Sequence, residues 1–489
     1  MATTTGERPR TQLRRELHIW GAIAFSIGAM GPTFAMSLNG VLPAGLVGRA
    51  VPLVFLLATI GIALVSYAFI KLAGYFASAG SVYAFAGATI GPRGGFVAGW
   101  ALLGTYYTFT VSTIAGAALF CLAFLDGSGL WHGAPWFPFA VAFGLLIWWL
   151  AYNEVKIIAR TILTIEFISI ALISILVVDI FVRVIAGTAP GGQSFTLSVF
   201  SVPDGVSIGT VGLATVFGFL SFAGFESAAV LGEETNDPKR NIGRAILLAV
   251  LIGGAFYVVT MTAQSLGFGA TTAGAKTFSE SSAPLGDLAR QYIGGGMSDL
   301  INLGAMVSSL GSALATSGGA ARLMYSFSRD GLGPPSLATT SPRTGAPAVA
   351  LAVLMLTILA TLTALKVITS GGVIDVYFWM ATIGVLSLLF AYIMTTIGAG
   401  VFLFIRQRVE PLWQAPIPAL GVLFLGYALW KNIFPVPASP YNLFPYIVLA
   451  WLALALAIIV LKPDFTRRIG SHFADQARSA IAEPVRPPG

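Results

Sequence analysis

Two carboxylates stand where a charge is expensive. Glu166 lies near the start of an apolar run that continues to Val178, and Glu226 ends the stretch Leu220-Ser221-Phe222-Ala223-Gly224-Phe225-Glu226 inside another. An acid in such a segment is neutral, paired or turned toward a polar cavity. Each is therefore a candidate to bind and release a proton. Glu166 would serve equally as a sodium ligand or as a hydrogen-bond acceptor for a neighbouring helix. Glu226 would serve equally as a cap where the chain resumes after the glycine, because a carboxylate is favoured at a helix N-terminus. Ser308 and Ser309 put adjacent hydroxyls into a third apolar run, a pattern that also suits simple helix contacts.

The backbone itself offers further groups. The first apolar run contains Ser26-Ile27-Gly28-Ala29-Met30-Gly31-Pro32, and the sixth contains Ser221-Phe222-Ala223-Gly224-Phe225. A helix unwound there frees N–H and C=O groups that must find partners. A half-helix N-terminus suits a carboxylate, while released carbonyls suit an ammonium group or a cation, so a zwitterionic amino acid fits both. Glycine also permits close packing and proline also kinks helices. The pairing of breaks in runs one and six favours a binding site, since these are corresponding positions of two five-helix halves related by inverted topology. Ser26, Ile27, Gly28, Ala29, Met30 and Gly31, with Ser221, Phe222, Ala223, Gly224 and Phe225, are the candidate substrate contacts. Tyr106, Tyr107, Phe378 and Trp379 are further aromatics placed to line or gate such a site, and Phe222, beside the break, is placed to close over a substrate.

The elements that must position these groups follow from composition. Of 489 residues, 56% are hydrophobic and 10% charged, against roughly 25% charged in a soluble domain. That excludes an ordinary soluble enzyme, and the absence of strict alternation excludes a membrane barrel. About twelve runs are long enough to span a bilayer: 18–42, 50–70, 96–125, 137–152, 161–185, 209–232, 244–267, 298–327, 346–366, 374–404, 416–434 and 441–461. The first run is too long for a cleaved leader and is expected to be retained. With the N-terminus inside, twenty Lys and Arg fall on the cytoplasmic side and six outside, namely Arg49, Arg183, Lys276, Arg290, Lys366 and Lys431. This asymmetry places both termini in the cytoplasm. The net charge of +7 is read as topology and not as a nucleic-acid footprint.

Between the spans, 78–95 is expected to hold a short helix at the cytoplasmic interface, and the outer loop 269–296 a short helix over 284–293. Glu233, Glu234 and Asp237 precede Lys239, Arg240 and Arg244 as an inner latch or a solvated loop. Arg322 is expected to snorkel inward or pair with one of these acids. Asp179 and Arg183 have the spacing of a helical ion pair. One cysteine, Cys121, gives no disulfide framework, and His18, His132 and His472 are too scattered for a metal cluster. With no nucleophile and base, no metal and no cofactor motif, an enzyme has little to work with. Neither a channel filter nor a phosphate-binding Gly-x-x-x-x-Gly-Lys-Ser/Thr loop is present.

The segment from Phe217 through Glu226 to Glu233-Glu234-Thr235-Asn236-Asp237-Pro238-Lys239-Arg240-Asn241-Ile242 closely resembles the sixth span and following loop of the amino acid/polyamine/organocation permeases. Ala79-Gly80-Ser81-Val82-Tyr83 and Arg322-Leu323-Met324-Tyr325 to Arg329-Asp330-Gly331 support the same resemblance over nearly the whole twelve-span core. It implies a leucine-transporter-like fold with broken helices one and six. The halves would be 18–205 and 206–404, followed by two extra spans over 405–461, with cytoplasmic tails 1–17 and 462–489. It also implies alternating-access transport with substrate held at the two broken spans, and gives Ser308 and Ser309 the place of family sodium ligands. Some proton-coupled relatives carry lysine where this chain has Glu166. The expected activity is secondary active transport of an amino acid across the plasma membrane, with a proton as coupling ion through Glu166 or Glu226. Exchange of an amino acid for its amine, or import of a putrescine-like polyamine, would use nearly the same residues.

Overall fold

A computed structural model describes residues 18–76, 82–153, 156–231, 235–369 and 371–461. The described residues fold entirely into helices and loops, as a chain must whose backbone polar groups are to be satisfied within each segment in lipid. Eleven helical segments are long and apolar enough to cross a membrane, and the shorter helix Ile208–Leu220 with the 3-10 segment Phe225–Leu231 fills the place of a twelfth, at position six.

Span one is divided into Ile19–Met30 and Pro32–Leu38. Gly31 between them is left-handed (φ 57°), which glycine tolerates without a Cβ penalty, and Pro32 occupies the first helical position beyond, where its missing N–H costs nothing. Span six ends its α-helix at Leu220, turns through Ser221–Gly224 with Gly224 at φ 102°, and resumes at Phe225. The remaining spans are Val51–Tyr75, Pro92–Gly127, Trp136–Asn153, Lys156–Ala186, Pro238–Phe268, Gly295–Arg329, Ala348–Ile368, Val373–Gly400, Pro416–Lys431 and Phe444–Leu461. The tenth continues through a π-helical turn, Val401–Arg406.

Burial shows what surrounds what. In span three 78% of the apolar window is buried, so it runs through the centre; in span eleven only 22% is, so its sides face lipid. Span three packs chiefly on spans eight and ten. Span twelve is held by Trp451, whose indole stacks on Trp100 of span three (centroids 4.6 Å, 20°), each Nε1–H donating to the other's backbone carbonyl at 2.9 Å. Gly104 leaves the room, since a Cβ there would lie 2.6 Å from the Trp451 Nε1. Trp451→Ala removes the stack and both bonds and is expected to cost about 2 kcal/mol. A lowered unfolding midpoint in detergent, with Trp451→Phe falling between, checks this.

The short helix expected within 78–95 is observed as Val82–Ile90. The loop 269–296 carries two helices, Thr272–Glu280 and Pro284–Tyr292, where the sequence suggested one. Thr271 caps the first through the Gly274 N–H, a signal weakened in the sequence by the surrounding glycines and threonines. Asp179 and Arg183 form the expected pair at 2.9 Å. Glu233 and Glu234 lie outside the described residues, and Arg322 is exposed. At one end of the bundle the Tyr83 hydroxyl donates to Asp330 at 2.7 Å; burial, reinforced by that carboxylate, pushes the Tyr83 phenol up.

Candidate functional site

The two interruptions meet. Ser26 Oγ donates to the Phe225 carbonyl at 3.0 Å and accepts the Ala228 N–H at 2.9 Å, so one hydroxyl ties span one to the resumed chain of span six. Gly224 lies against Ala29 so closely that a Cβ would sit 3.1 Å from the Ala29 backbone. Beyond the breaks, Asn39 Nδ2 donates to Ser221 Oγ at 2.8 Å while its Oδ1 accepts from the Tyr377 hydroxyl, joining spans one, six and ten.

Between these ties lies a cavity of about 90 Å³. Spans one, three, six, eight and ten wall it. Ala29, Met30, Ala223 and Gly224 from the sequence-derived set line it, and so does Glu226. Ser26 and Ser221 tie the breaks together through their hydroxyls, while Ile27 and Gly28, in the last turn of the helix, and Gly31, at the break, do not line the cavity. Phe222 is fully buried with its ring edge-on to Tyr257 (5.0 Å), and Phe225 packs against Phe69 and Tyr392; neither is on the cavity wall.

Tyr106 lines the cavity, whereas the Tyr107 hydroxyl contacts Thr357 and Thr361 of span nine. In span ten the lining aromatic is Tyr377; Phe378 turns to Phe217. Asn39, Ser227, Ser312 and Thr316 add polar wall that the sequence did not single out. Asn39 carried a signal, being an amide at the end of an apolar run, but such residues also mark membrane interfaces.

The four polar coupling candidates separate into different surroundings. Glu226 Oε2 accepts from the Tyr392 hydroxyl at 2.7 Å, and the carboxylate reaches the cavity wall at the start of the resumed span. Glu166 is buried behind span one, where its Oε1 accepts the Thr33 N–H at 2.9 Å. Ser308 shares that place, its hydroxyl accepting the Phe34 N–H at 3.2 Å. Ser309 instead donates to the Thr113 carbonyl at 2.7 Å and so fastens span eight to span three. Tyr257, also near Glu166, has a buried hydroxyl with no hydrogen-bond partner among the described residues. Among the described residues no group of three His, Cys, Asp or Glu gathers as a metal centre.

The family model for amino acid permeases matches residues 19–467. The chain belongs to this family. As an amino acid permease it is a multi-pass membrane transporter and not an enzyme. It is similar to the low-affinity putrescine importer PlaP of Escherichia coli, with 29% identity over 68% of this chain and 71% of the importer. It is also similar to the branched-chain amino acid permease BcaP of Bacillus subtilis, with 26% identity over 72% of this chain and 74% of that protein. An uncharacterized transporter of Mycobacterium tuberculosis shares 28% identity over 69% of this chain. The substrates named for these relatives are thus a polyamine in one case and branched-chain amino acids in another.

Proposed function

We propose that this permease moves a small ammonium-bearing compound, an amino acid or its amine, through the central cavity by alternating access coupled to protons. The observation that supports this most is Glu226, an acid buried in the wall beside the break of span six and facing the space a ligand would fill. An ammonium entering the cavity meets that carboxylate and the C-terminal end of the first half of span one, where a helix ordinarily leaves carbonyls free to accept. Glu226 is also the acid placed to take up a proton when the cation leaves. Glu166, which accepts the Thr33 N–H, is the second acid available to the coupling step.

Residues 18–205 and 206–404 act as two halves of inverted topology, each opening on a broken helix, and rocking between them carries the cavity from one side to the other. Both termini lie in the cytoplasm, in keeping with the Lys and Arg asymmetry, and the bilayer is the plasma membrane. A single acid that binds cation and proton in turn also favours exchange as the second reading.

Uptake of labelled putrescine and leucine into proteoliposomes tests the proposal, with an imposed pH gradient and with sodium present or absent. Accumulation driven by inward protons without sodium supports proton coupling. Flux that needs only internal substrate supports exchange, and a strict sodium requirement overturns the proton assignment.

A further inference from the structure

Resting on the reading that this cavity holds the substrate, we propose that the length of ligand it accepts is set from behind its wall, by Gly116, Gly319 and Gly384. Among the described residues four aromatic side chains line the cavity: Phe34, Tyr106, Phe109 and Tyr377. Three of them are seated on a glycine of a neighbouring helix. Tyr106 of span three lies on Gly319 of span eight, where an added Cβ would stand 2.8 Å from its Cε2 and 3.0 Å from its Cδ2. Phe34 lies on Gly116 of span three, where an added Cβ would stand 2.5 Å from its Cε2 and 2.8 Å from its Cζ. Phe109 lies on Gly384 of span ten, where an added Cβ would overlap its ring. None of the three glycines lines the cavity itself.

Glycine in a membrane helix often serves the close approach of two backbones. Gly95 is such a case, since a Cβ there would meet the Gly87 backbone at 2.6 Å. The three seats differ. At Gly319 the nearest atoms all belong to the Tyr106 ring, and at Gly116 and Gly384 the two nearest belong to a lining ring, followed by a hydroxyl. What each glycine admits is therefore a side chain, and in each case one that walls the cavity. All three lie inside long helices, where glycine is a poor helix former and where none of them has a positive φ to require it.

A methyl group added at a seat must displace the ring. Interiors are close-packed, so a ring moves toward the side where atoms are few. Phe34 is flanked edge-on by Phe120 and Tyr377, at 6.0 and 5.3 Å between centroids, and its open side is the cavity. Tyr106 and Phe109 face the same space from span three. The glycines are thus positioning residues that touch no ligand and fix how far three rings reach into a cavity of about 90 Å³. Because they belong to three helices, they bound it from separate sides.

The test is equilibrium binding of two unbranched series to the purified full chain in nanodiscs: α-amino acids from alanine to norleucine, and diamines from 1,3-diaminopropane to cadaverine. One methylene in a snug apolar pocket is worth at least about tenfold in discrimination. In Gly116→Ala, Gly319→Ala and Gly384→Ala the affinity for the longest member that the wild type binds, relative to the shortest, is accordingly expected to fall about tenfold. Trimming the ring should abolish the effect: Gly319→Ala added to Tyr106→Leu, or Gly384→Ala added to Phe109→Leu, should leave the ratio where the ring variant alone sets it. A glycine that only packs helices would lower the unfolding midpoint or weaken every member alike, without moving the ratio. The midpoint in detergent identifies a variant that has not folded, and the three seats test the claim separately. Length ratios unmoved in the folded glycine variants, or moved equally after the ring is trimmed, would overturn this inference and leave the cavity reading intact. Failure of both series to bind the wild type would overturn both.

Discussion

Glu226→Gln is expected to lower saturable uptake by about a hundredfold. Removing one member of a buried charge pair costs about 2–5 kcal/mol, most of it from leaving the other charge unanswered, and a hundredfold lies within that range. The substitution is chosen because it separates two roles. Glutamine keeps an oxygen for the Tyr392 hydroxyl, which Glu226 now accepts at 2.7 Å, so a carboxylate that only completes that bond would be replaced with little loss. A carboxylate that neutralises an ammonium would not. Initial rates in proteoliposomes, normalised to reconstituted protein, give the answer; near wild-type uptake in the variant would reduce Glu226 to a structural acceptor.

The second large effect is expected at Gly224. Its φ of 102° lies outside the region open to residues with a Cβ, and an added Cβ would stand 3.1 Å from Ala29 backbone atoms across the junction of the two breaks. Strain of this kind costs about 1–3 kcal/mol. Relief would come by separating span one from span six, which would also pull Ser26 from Phe225 and Ala228. Gly224→Ala is therefore expected to cut uptake by roughly tenfold to a hundredfold. Gly426→Ala, where an added Cβ meets nothing within 4 Å, is the matched control. Equal activity in the two variants would show that close approach at Gly224 is not required.

Much of the architecture was legible because membrane spans are written as long apolar runs. The break in span one was legible for a local reason: Gly31 opens the left-handed region to the backbone and Pro32 fixes φ and removes a donor. Gly224 was legible with the help of Glu226 beside it, an acid that no lipid-facing turn would hold. Orientation about a helix axis was harder to read. Span ten is apolar on every side, so nothing in Tyr377-Phe378-Trp379 says which aromatic faces inward; the structure turns Tyr377 to the cavity. Phe222 was misleading in a similar way, because adjacency to the break does not fix the direction of the ring, which packs on Tyr257.

The partners of Glu166 were beyond reach for a different reason. Thr33 is 133 residues away in the chain and contributes its backbone, which carries no side-chain signal. Ser308 and Ser309 look equivalent in sequence, yet one helical step of about 100° sends one hydroxyl to span one and the other to span three.

The hydrogen bonding at the break in span one has an energetic consequence. Ser26, Glu166 and Ser308 complete the junction with the protein's own groups, so the broken geometry is supported by contacts other than those to cargo. A ligand can then bias the conformational equilibrium only through the difference in its affinity for the two states. With the Thr33 and Phe34 donors already committed, that difference would on the proposed reading come chiefly from how Glu226 meets an ammonium on each side of the membrane.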